Sequence, residues 1–559
     1  MISNLTDRLK QSAARTRESL RTVIRPRTRP LLGAAVVVLV IASVMPWAVS
    51  GVGYTTTFSG DLADAGLGGH RLYLLLVALL AATALAPQGN RRRIATISAI
   101  SAVVITFFLF YKLWKTGGGS GAVGVGAWVA VVGTLALVLV ADAMEASPPP
   151  RLPGFPAPVD LALLVAGIGG LLYAVVIGLN IDDEREFLSF AVFVGCAVAV
   201  MGAFGVTETF SRAFNRYRYV GYALSLVAAV AFPFTQNGNA VWMAVFARVG
   251  VFAAAAIGLN VVVGLAGLLD LGYIAFFGIG GYVSALFSNA IFTTVHVHLP
   301  FVLVLFMGAA AAGFFGVIVG APTLRLRGDY LAIVTLGFGE IFRIVAINWP
   351  ELTRGPNGIA GIPDLEIFGF NFGRPHDALG VPLPYQANYY FLDIVLIVFV
   401  MVVFARLNDS RIGRAWVAIR EDEVAARAMG INTVAMKLLA FAIGATLAGG
   451  AGTINVHIGR AIEPNAYQFI FSALLLAAVV LGGMGTVPGA VLGATLLYAI
   501  PEKLRFVQDY RLFLFGLVLV LLMRFRPEGL IPSQRRQREF HDADSGADAL
   551  GGPAEVATA

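Results

Sequence analysis

At 559 residues, 58% hydrophobic and 13% charged, with a mean hydropathy of +0.80, the chain lies outside the composition of a soluble globular domain and reads as a multi-span membrane protein. The formal net charge of +7 does not point to nucleic acid, because the basic residues stand in short clusters beside apolar runs, as expected of cytoplasmic loops. The single cysteine, Cys196, excludes an internal disulfide framework or a CxxC site, and His296 and His298 lack the helical ligand spacing of three or four, so no metal site is expected.

Residues 1–30 form a basic cytoplasmic segment carrying Arg8, Lys10, Arg15, Arg17, Arg21, Arg25, Arg27 and Arg29. It is too long and basic for an ordinary cleaved signal peptide, and no small-residue cleavage site follows, so 31–50 is expected to be a retained span. Further apolar runs follow at 72–87, 94–111, 122–141, 159–179, 187–206, 219–234, 240–264, 271–291, 300–321, 331–348, 389–406, 436–457, 467–483, 487–500 and 512–524. These lengths predict an all-α polytopic membrane protein with roughly sixteen transmembrane helices, some of them re-entrant or broken. Alternation from an inside N-terminus puts Arg91, Arg92 and Arg93 inside and the acidic NIDDERE (180–186) outside. Arg212, Arg216, Arg218, LRLRGD (324–329), REDEVAARAMGIN (420–432) and RFRPEGLIPSQRRQRE then fall inside. Both termini are therefore expected to be cytoplasmic, and 531–559, without a periodic apolar face, reads as a disordered tail.

Residues 31–235 hold ordinary spans with almost no intramembrane charge, an accessory transmembrane region, whereas 240–505 is dense in glycine-broken segments. The stretch GLLDLGYIAFFGIGGY (267–282) gathers Gly267, Gly272, Gly278, Gly280 and Gly281 around one helix break. Such glycines either expose backbone along a substrate path or let helices pack closely, and both readings stand. Asp270 falls at the cytoplasmic turn and is expected to be an interfacial carboxylate. Glu340 and Arg343, in LGFGEIFRI, share one face of one span at i, i+3 spacing, either as a functional pair or as a structural one, and Glu340 is the one acid expected firmly at depth.

Residues 354–363 form an outward loop rich in Gly, Pro and Asn, a gate, a docking surface or simply an ordered loop. Between the runs at 389–406 and 436–457, Trp416, Val417 and Ile419 precede a charged, alanine-rich helix with Glu421, Asp422 and Glu423 early and Gly430 as its cap. That helix suits either the lipid surface or a cytoplasmic partner. No HExxH, GxSxG or GxxxxGK[ST] set occurs, so the chain is not expected to be an enzyme or to hydrolyse ATP itself.

Ala425, Ala426 and Gly430 resemble the tail of the E-A-A-x-x-x-G loop by which permeases of bacterial ABC importers engage their ATPases. Val424 stands where that glutamate would be, and the acid is one residue earlier, at Glu423. Residues from about 240 to 530 resemble, through six collinear segments, the LivM-type permease of branched-chain amino acid ABC importers. These segments are GLNVVVGLAGLLDLGYIAFFGIGGY, LRLRGDYLAIVTLGFGEIFRI, LTRGPNGIAGIP, GRAWVAIREDEVAARAMGIN, LGGMGTVPGAVLGA and RPEGL. Asp270 departs from the apolar residue expected at its place, and the spans before 235 resemble variable extra spans of some members.

The resemblance implies a permease core at 236–530 with a coupling loop at 407–435. It implies a second permease subunit sharing the path, two ABC ATPase subunits that bind ATP and Mg, and an extracytoplasmic binding protein delivering leucine, isoleucine or valine. The setting would be the lipid of a bacterial plasma (inner) membrane, with no nucleic acid partner, and with no catalytic residue, metal or cofactor in this chain. It assigns ATPase coupling to Trp416, Arg420, Glu421, Asp422, Glu423, Ala425, Ala426 and Gly430, and a place along the path to Gly272, Tyr273, Gly278, Gly280, Glu340 and Arg343. The alternatives are a related permease for urea or short amides, and an ion-coupled secondary transporter, which would carry internal repeats and several intramembrane acids.

Overall fold

The computed structural model describes residues 18, 24–45, 47, 68–86, 90–117, 123–145, 152, 155–236, 239–288, 295, 297–323, 329–378, 380–504, 510–525 and 529–531. Over these the protein is an all-α polytopic membrane protein. Each apolar run read from the sequence contains a helix. Among the described residues eleven helices are long and apolar enough to cross a membrane, with three shorter apolar helices at His70–Leu85, Ile274–Phe287 and Phe469–Gly482. The basic head apart from residues 18 and 24–30, the segment 324–328, His296 and the tail beyond 531 lie outside the described residues.

The chain divides into two compact units, Met1–Phe232 and Pro233–Ala559. The first holds α1 (Thr28–Val44), α2 (Gly68–Ala82), α3 (Arg91–Gly117), α4 (Val125–Ala143), α5 (Ala157–Asn180), α6 (Glu184–Ala203), α7 (Val206–Arg216) and most of α8 (Arg218–Thr235). Its core gathers Leu32 and Leu39 of α1, Leu74 of α2, Ile94 and Ile105 of α3, Leu137 of α4 and Cys196 of α6.

The basic cluster at 212–218, expected as a loop between spans, is instead an amphipathic helix and the start of the next. Gly205 turns at φ 79° into α7, Arg216 pairs with Asp160 at 3.4 Å, and Arg212 donates to the Leu152 carbonyl. Its apolar residues are spaced on one face and not gathered in a run, so apolar-run reading passes over it.

The acidic NIDDERE loop is organised by Asp183, which caps α6 by accepting from the Arg185 and Glu186 N–H groups at 2.8 and 3.1 Å. The same carboxylate receives the buried Lys112 ammonium of α3 at 2.8 Å. Burial alone would raise the Asp183 pKa, but Lys112 and the two backbone donors outweigh it and hold the carboxyl below 3.8. A lowered folded pKa means that this stabilisation is fully present above the ordinary aspartate value and lost as pH falls through the lower one. Asp183→Ala is expected to cost about 1 kcal/mol from the lost cap alone, and more because Lys112 loses its carboxylate partner. Thermal unfolding of the purified protein at neutral pH reads this as a lowered midpoint, and an unchanged midpoint would deny the cap its role.

The second unit is built on α9 (Ala240–Asn260), which runs on through one π turn at Val261–Leu265. It then holds α10 (Ile274–Phe287), α11 (Phe301–Thr323), α12 (Asp329–Asn348), α13 (Tyr385–Asp409), α14 (Arg411–Glu421), α15 (Glu423–Ala428), α16 (Thr433–Gly459), α17 (Phe469–Gly482), α18 (Val487–Lys503) and α19 (Arg511–Phe525). Helix α9 lies against α13, α16 and α18, and α16 lies against α10 and α11. Small residues permit these approaches, as lipid-embedded helices require. A Cβ at Gly308 or Gly313 of α11 would overlap Thr453 or Thr446 of α16.

The segment between α12 and α13, which includes 354–363, carries structure the sequence did not announce. Glu366–Ile367 pairs with Phe370–Asn371, and His376–Ala378 with Val381–Leu383. Ile359–Ala360 pairs antiparallel with Ala461–Ile462, beyond the end of α16.

Candidate coupling and translocation site

The charged stretch after α13 folds as two short helices rather than one. Ser410 caps α14 by accepting from the Gly413 N–H at 3.1 Å. Asp422, extended at φ −153°, ends α14 and caps α15 by accepting from Val424 and Ala425 N–H at 2.8 and 3.0 Å. The chain leaves α15 through Gly430 at φ 85°, with Ile431 N–H bonded to Ala426 O and Gly430 N–H to Arg427 O. That is a Schellman ending, which needs a left-handed residue at this position and so favours glycine.

Side-chain directions sort the expected coupling residues into two groups. Trp416 is fully buried, and its indole N–H donates to Met436 O at 2.7 Å. It therefore anchors α14 onto the start of α16, and its own side chain is turned into the protein. Ala426 is buried as well. Glu423 accepts from the buried Lys437 ammonium at 2.7 Å and from Arg427 at 3.2 Å. The outward face is left to Val424 and Met429, 68% and 83% exposed, beside Glu421 and Ala425.

Arg420 reaches the other way. Its Nη1 donates to the Gly264 carbonyl at 2.9 Å, its aliphatic stem lies on Gly267, and Nη2 pairs with Glu421 at 2.8 Å. Gly264 lies in the π turn that ends α9, where carbonyls lack intrahelical donors. Just before it, buried Asn260 donates to Thr486 O at 2.9 Å and accepts from Gly485 N–H at 2.8 Å. Thr486 in turn donates to Ile531 O at 3.0 Å, and Leu530 N–H bonds Leu481 O. Segments more than 200 residues apart thus meet around one broken helix end.

From that end the chain turns into α10. Asp270 Oδ1 accepts from Gly272 N–H at 2.9 Å, Thr335 Oγ1 of α12 accepts from Leu271 N–H at 3.0 Å, and Ser472 Oγ accepts from Ile274 N–H at 3.0 Å. Asp270 is 1% exposed, a carboxylate enclosed within the hairpin rather than open to solvent. Tyr273 is buried and donates to Gly444 O at 2.7 Å. Gly272 faces the Thr335 carbonyl, Gly278 faces the Phe342 ring and Gly280 faces the Gly449 carbonyl, each at a distance that a Cβ would overlap. In this conformation these three glycines are close-packing positions.

Glu340 and Arg343 do pair along α12, and Arg343 also reaches Asn465 at 3.3 Å. The Glu340 side chain is 36% exposed. An acid enclosed by protein is instead Asp393 of α13, 1% exposed, with neither carboxyl oxygen hydrogen-bonded among the described residues. It faces α9 at Gly250, where a Cβ would approach its own Cβ to 2.6 Å. The signal was available as a lone aspartate inside the run at 389–406, but burial depends on which face meets α9.

At the opposite end of the unit, the 354–363 loop is tied down. His457 lies with Nδ1 2.9 Å from Pro363 O, so it donates there and leaves Nε2 to accept from Ser284 at 3.1 Å. Arg460 pairs with Asp364 at 2.6 Å.

Comparison with known proteins adds to this geometry. The sequence profile of the family described as branched-chain amino acid transport system / permease component matches residues 241–523. Over 324 residues, 56% of this chain and 74% of the relative, it is 42% identical to the high-affinity branched-chain amino acid transport system permease protein LivM of Salmonella typhimurium. The Escherichia coli LivM matches to the same extent. A probable branched-chain amino acid transport permease protein LivM of Methanocaldococcus jannaschii is 27% identical over 306 residues, 49% of this chain and 84% of that one. No solved structure matches.

Proposed function

The chain belongs to the family of branched-chain amino acid transport system permease components, and from that premise we propose that it is the permease subunit of an ATP-driven importer for leucine, isoleucine and valine in a bacterial inner membrane. A second permease subunit completes the path, two ABC ATPase subunits bind and hydrolyse ATP with Mg, and an extracytoplasmic binding protein delivers the amino acid. Its own work is conformational.

The observation that carries this reading is the Arg420 bridge. The short helices α14 and α15 present an exposed face at Val424 and Met429, while Arg420 holds the broken end of α9 through Gly264 and Gly267. A push on that face by closing ATPases is relayed to α9, to the Asn260–Thr486 link and to the hairpin leading into α10. Such a relay biases a two-state element between outward and inward access. Glu421, Asp422, Glu423, Ala425 and Gly430 shape and hold the face, and Trp416 fixes its footing. Glu340 and Arg343 lie along the path, and Gly272, Tyr273, Gly278 and Gly280 pack the hairpin beside it against α12 and α16.

Mild-detergent purification of the tagged full-length chain tests the assembly. Two P-loop ATPases and a second permease are expected to accompany it, and the reconstituted complex is expected to take up leucine only with ATP and the binding protein present. Recovery of this chain alone, with uptake that needs no ATP, would overturn the proposal.

A further inference from the structure

Arg248 sits in α9 about 12 Å from Ala240 and about 24 Å from Gly264 at 1.5 Å per residue, inside a span whose hydrocarbon environment is about 30 Å thick. Among the described residues, helix α9 with its π turn is the most enclosed of the full-length spans. Ala247, Val249, Gly250 and Val251 around Arg248 are buried, yet Arg248 itself is exposed, on a narrow open stripe shared with Val241. Its guanidinium makes no hydrogen bond or ion pair among the described residues.

One turn further along the stripe, Phe252 stacks on Tyr498 of α18 at 4.1 Å and on Phe277 of α10 at 5.4 Å between ring centroids. Beyond that stack α9 is closed, with Ala255, Ala256 and Leu259 buried. The open stripe therefore runs from the Ala240 end to an aromatic floor, and Arg420 holds the other end of the same helix.

Arginine keeps its charge in any protein environment, and an unpaired guanidinium within a span is costly. The nearby charges do not relieve it. Asp393 faces α9 through Gly250, which lies about 200° round the helix from Arg248 at 3.6 residues per turn, and Glu502, one turn along α18 from Tyr498 on the side of Lys503 and Trp242, is engaged in other interactions. What the site lacks is an anion with an apolar body.

We infer that Arg248 binds the α-carboxylate of the amino acid in transit, with the Phe252–Tyr498 stack beneath it receiving the apolar side chain. This rests on the importer reading and assigns that path a residue for the cargo's charged end. A carboxylate suits the planar fork of arginine bidentately, and aromatic faces accept branched aliphatic groups without asking for a hydrogen bond.

The test uses the complete complex in proteoliposomes, with labelled leucine and the binding protein, comparing wild type, R248Q and R248K. Wild type is run first, and absence of ATP-dependent uptake there would count against the importer itself. Given that uptake, R248Q is expected to reduce it about tenfold or more, the cost of losing a charged hydrogen bond. ATP hydrolysis stimulated by loaded binding protein, and retention of the second permease, are expected to be unchanged, and R248K to recover part of the rate. Normal uptake by R248Q would overturn the inference, since the guanidinium would then be snorkelling to lipid headgroups. So would loss of the second permease from R248Q, which would make Arg248 half of a subunit-interface ion pair.

Discussion

Arg420→Ala is expected to lower ATP-driven uptake about tenfold or more while ATP hydrolysis by the assembled complex continues, because a hydrogen bond to a charged group is worth ~1.5–3 kcal/mol and each 1.4 kcal/mol is a factor of ten. The Arg420 side chain is 22% exposed, and among the described contacts it is the one from α14 that ends on the π turn, at Gly264 O, and on Gly267. Removing it leaves Trp416 still seated on Met436 and Glu423 still bound to Lys437, so α14 and α15 keep their fold and exposed face. What is lost is the grip on α9. Arg420→Lys is expected to fall between, since an ammonium can reach the carbonyl but lacks the second arm that pairs with Glu421. Uptake and hydrolysis measured on the same proteoliposomes separate the outcomes. A parallel fall in both would indicate failed assembly, and unchanged uptake would remove Arg420 from the relay.

Gly280→Val is expected to abolish recovery of folded protein. At the crossing of α10 and α16, a Cβ on Gly280 would overlap the Gly449 backbone, and one on Gly452 would overlap the Phe277 carbonyl. Thr453 then bonds back to Gly280 O at 3.2 Å. Backbone meets backbone here, so no flexible side chain can step aside. Overpacking a close-packed core costs ~1–3 kcal/mol even for modest insertions, and a β-branched side chain between two main chains exceeds that, against a total stability of ~5–15 kcal/mol. Gly337→Ala provides the control, since nothing lies within 4 Å of a Cβ at Gly337. Monodisperse yield and thermal unfolding midpoint are the readouts. A well-behaved G280V protein would show that α10 and α16 do not approach as described.

The membrane class, the places of the apolar helices and the charged helical stretch before Gly430 were all legible along the chain, because length, hydropathy and capping residues act within a few residues of one another. Gly430 was readable as a cap for the same reason, its left-handed turn being a local demand. So were the six collinear segments that resemble the family. Side-chain destinations were not. Whether Gly280 touches Gly449, whether Trp416 meets Met436, and whether Glu340 or Asp393 is the more enclosed acid all depend on which helix lies opposite. The meeting of Asn260, Gly264, Arg420, Thr486 and Ile531 around one helix end likewise joins residues far apart in sequence, and only packing of the whole unit brings them together. A helix's own periodicity says which residues share a face; its neighbours decide whether that face meets backbone, a buried carboxyl or open space.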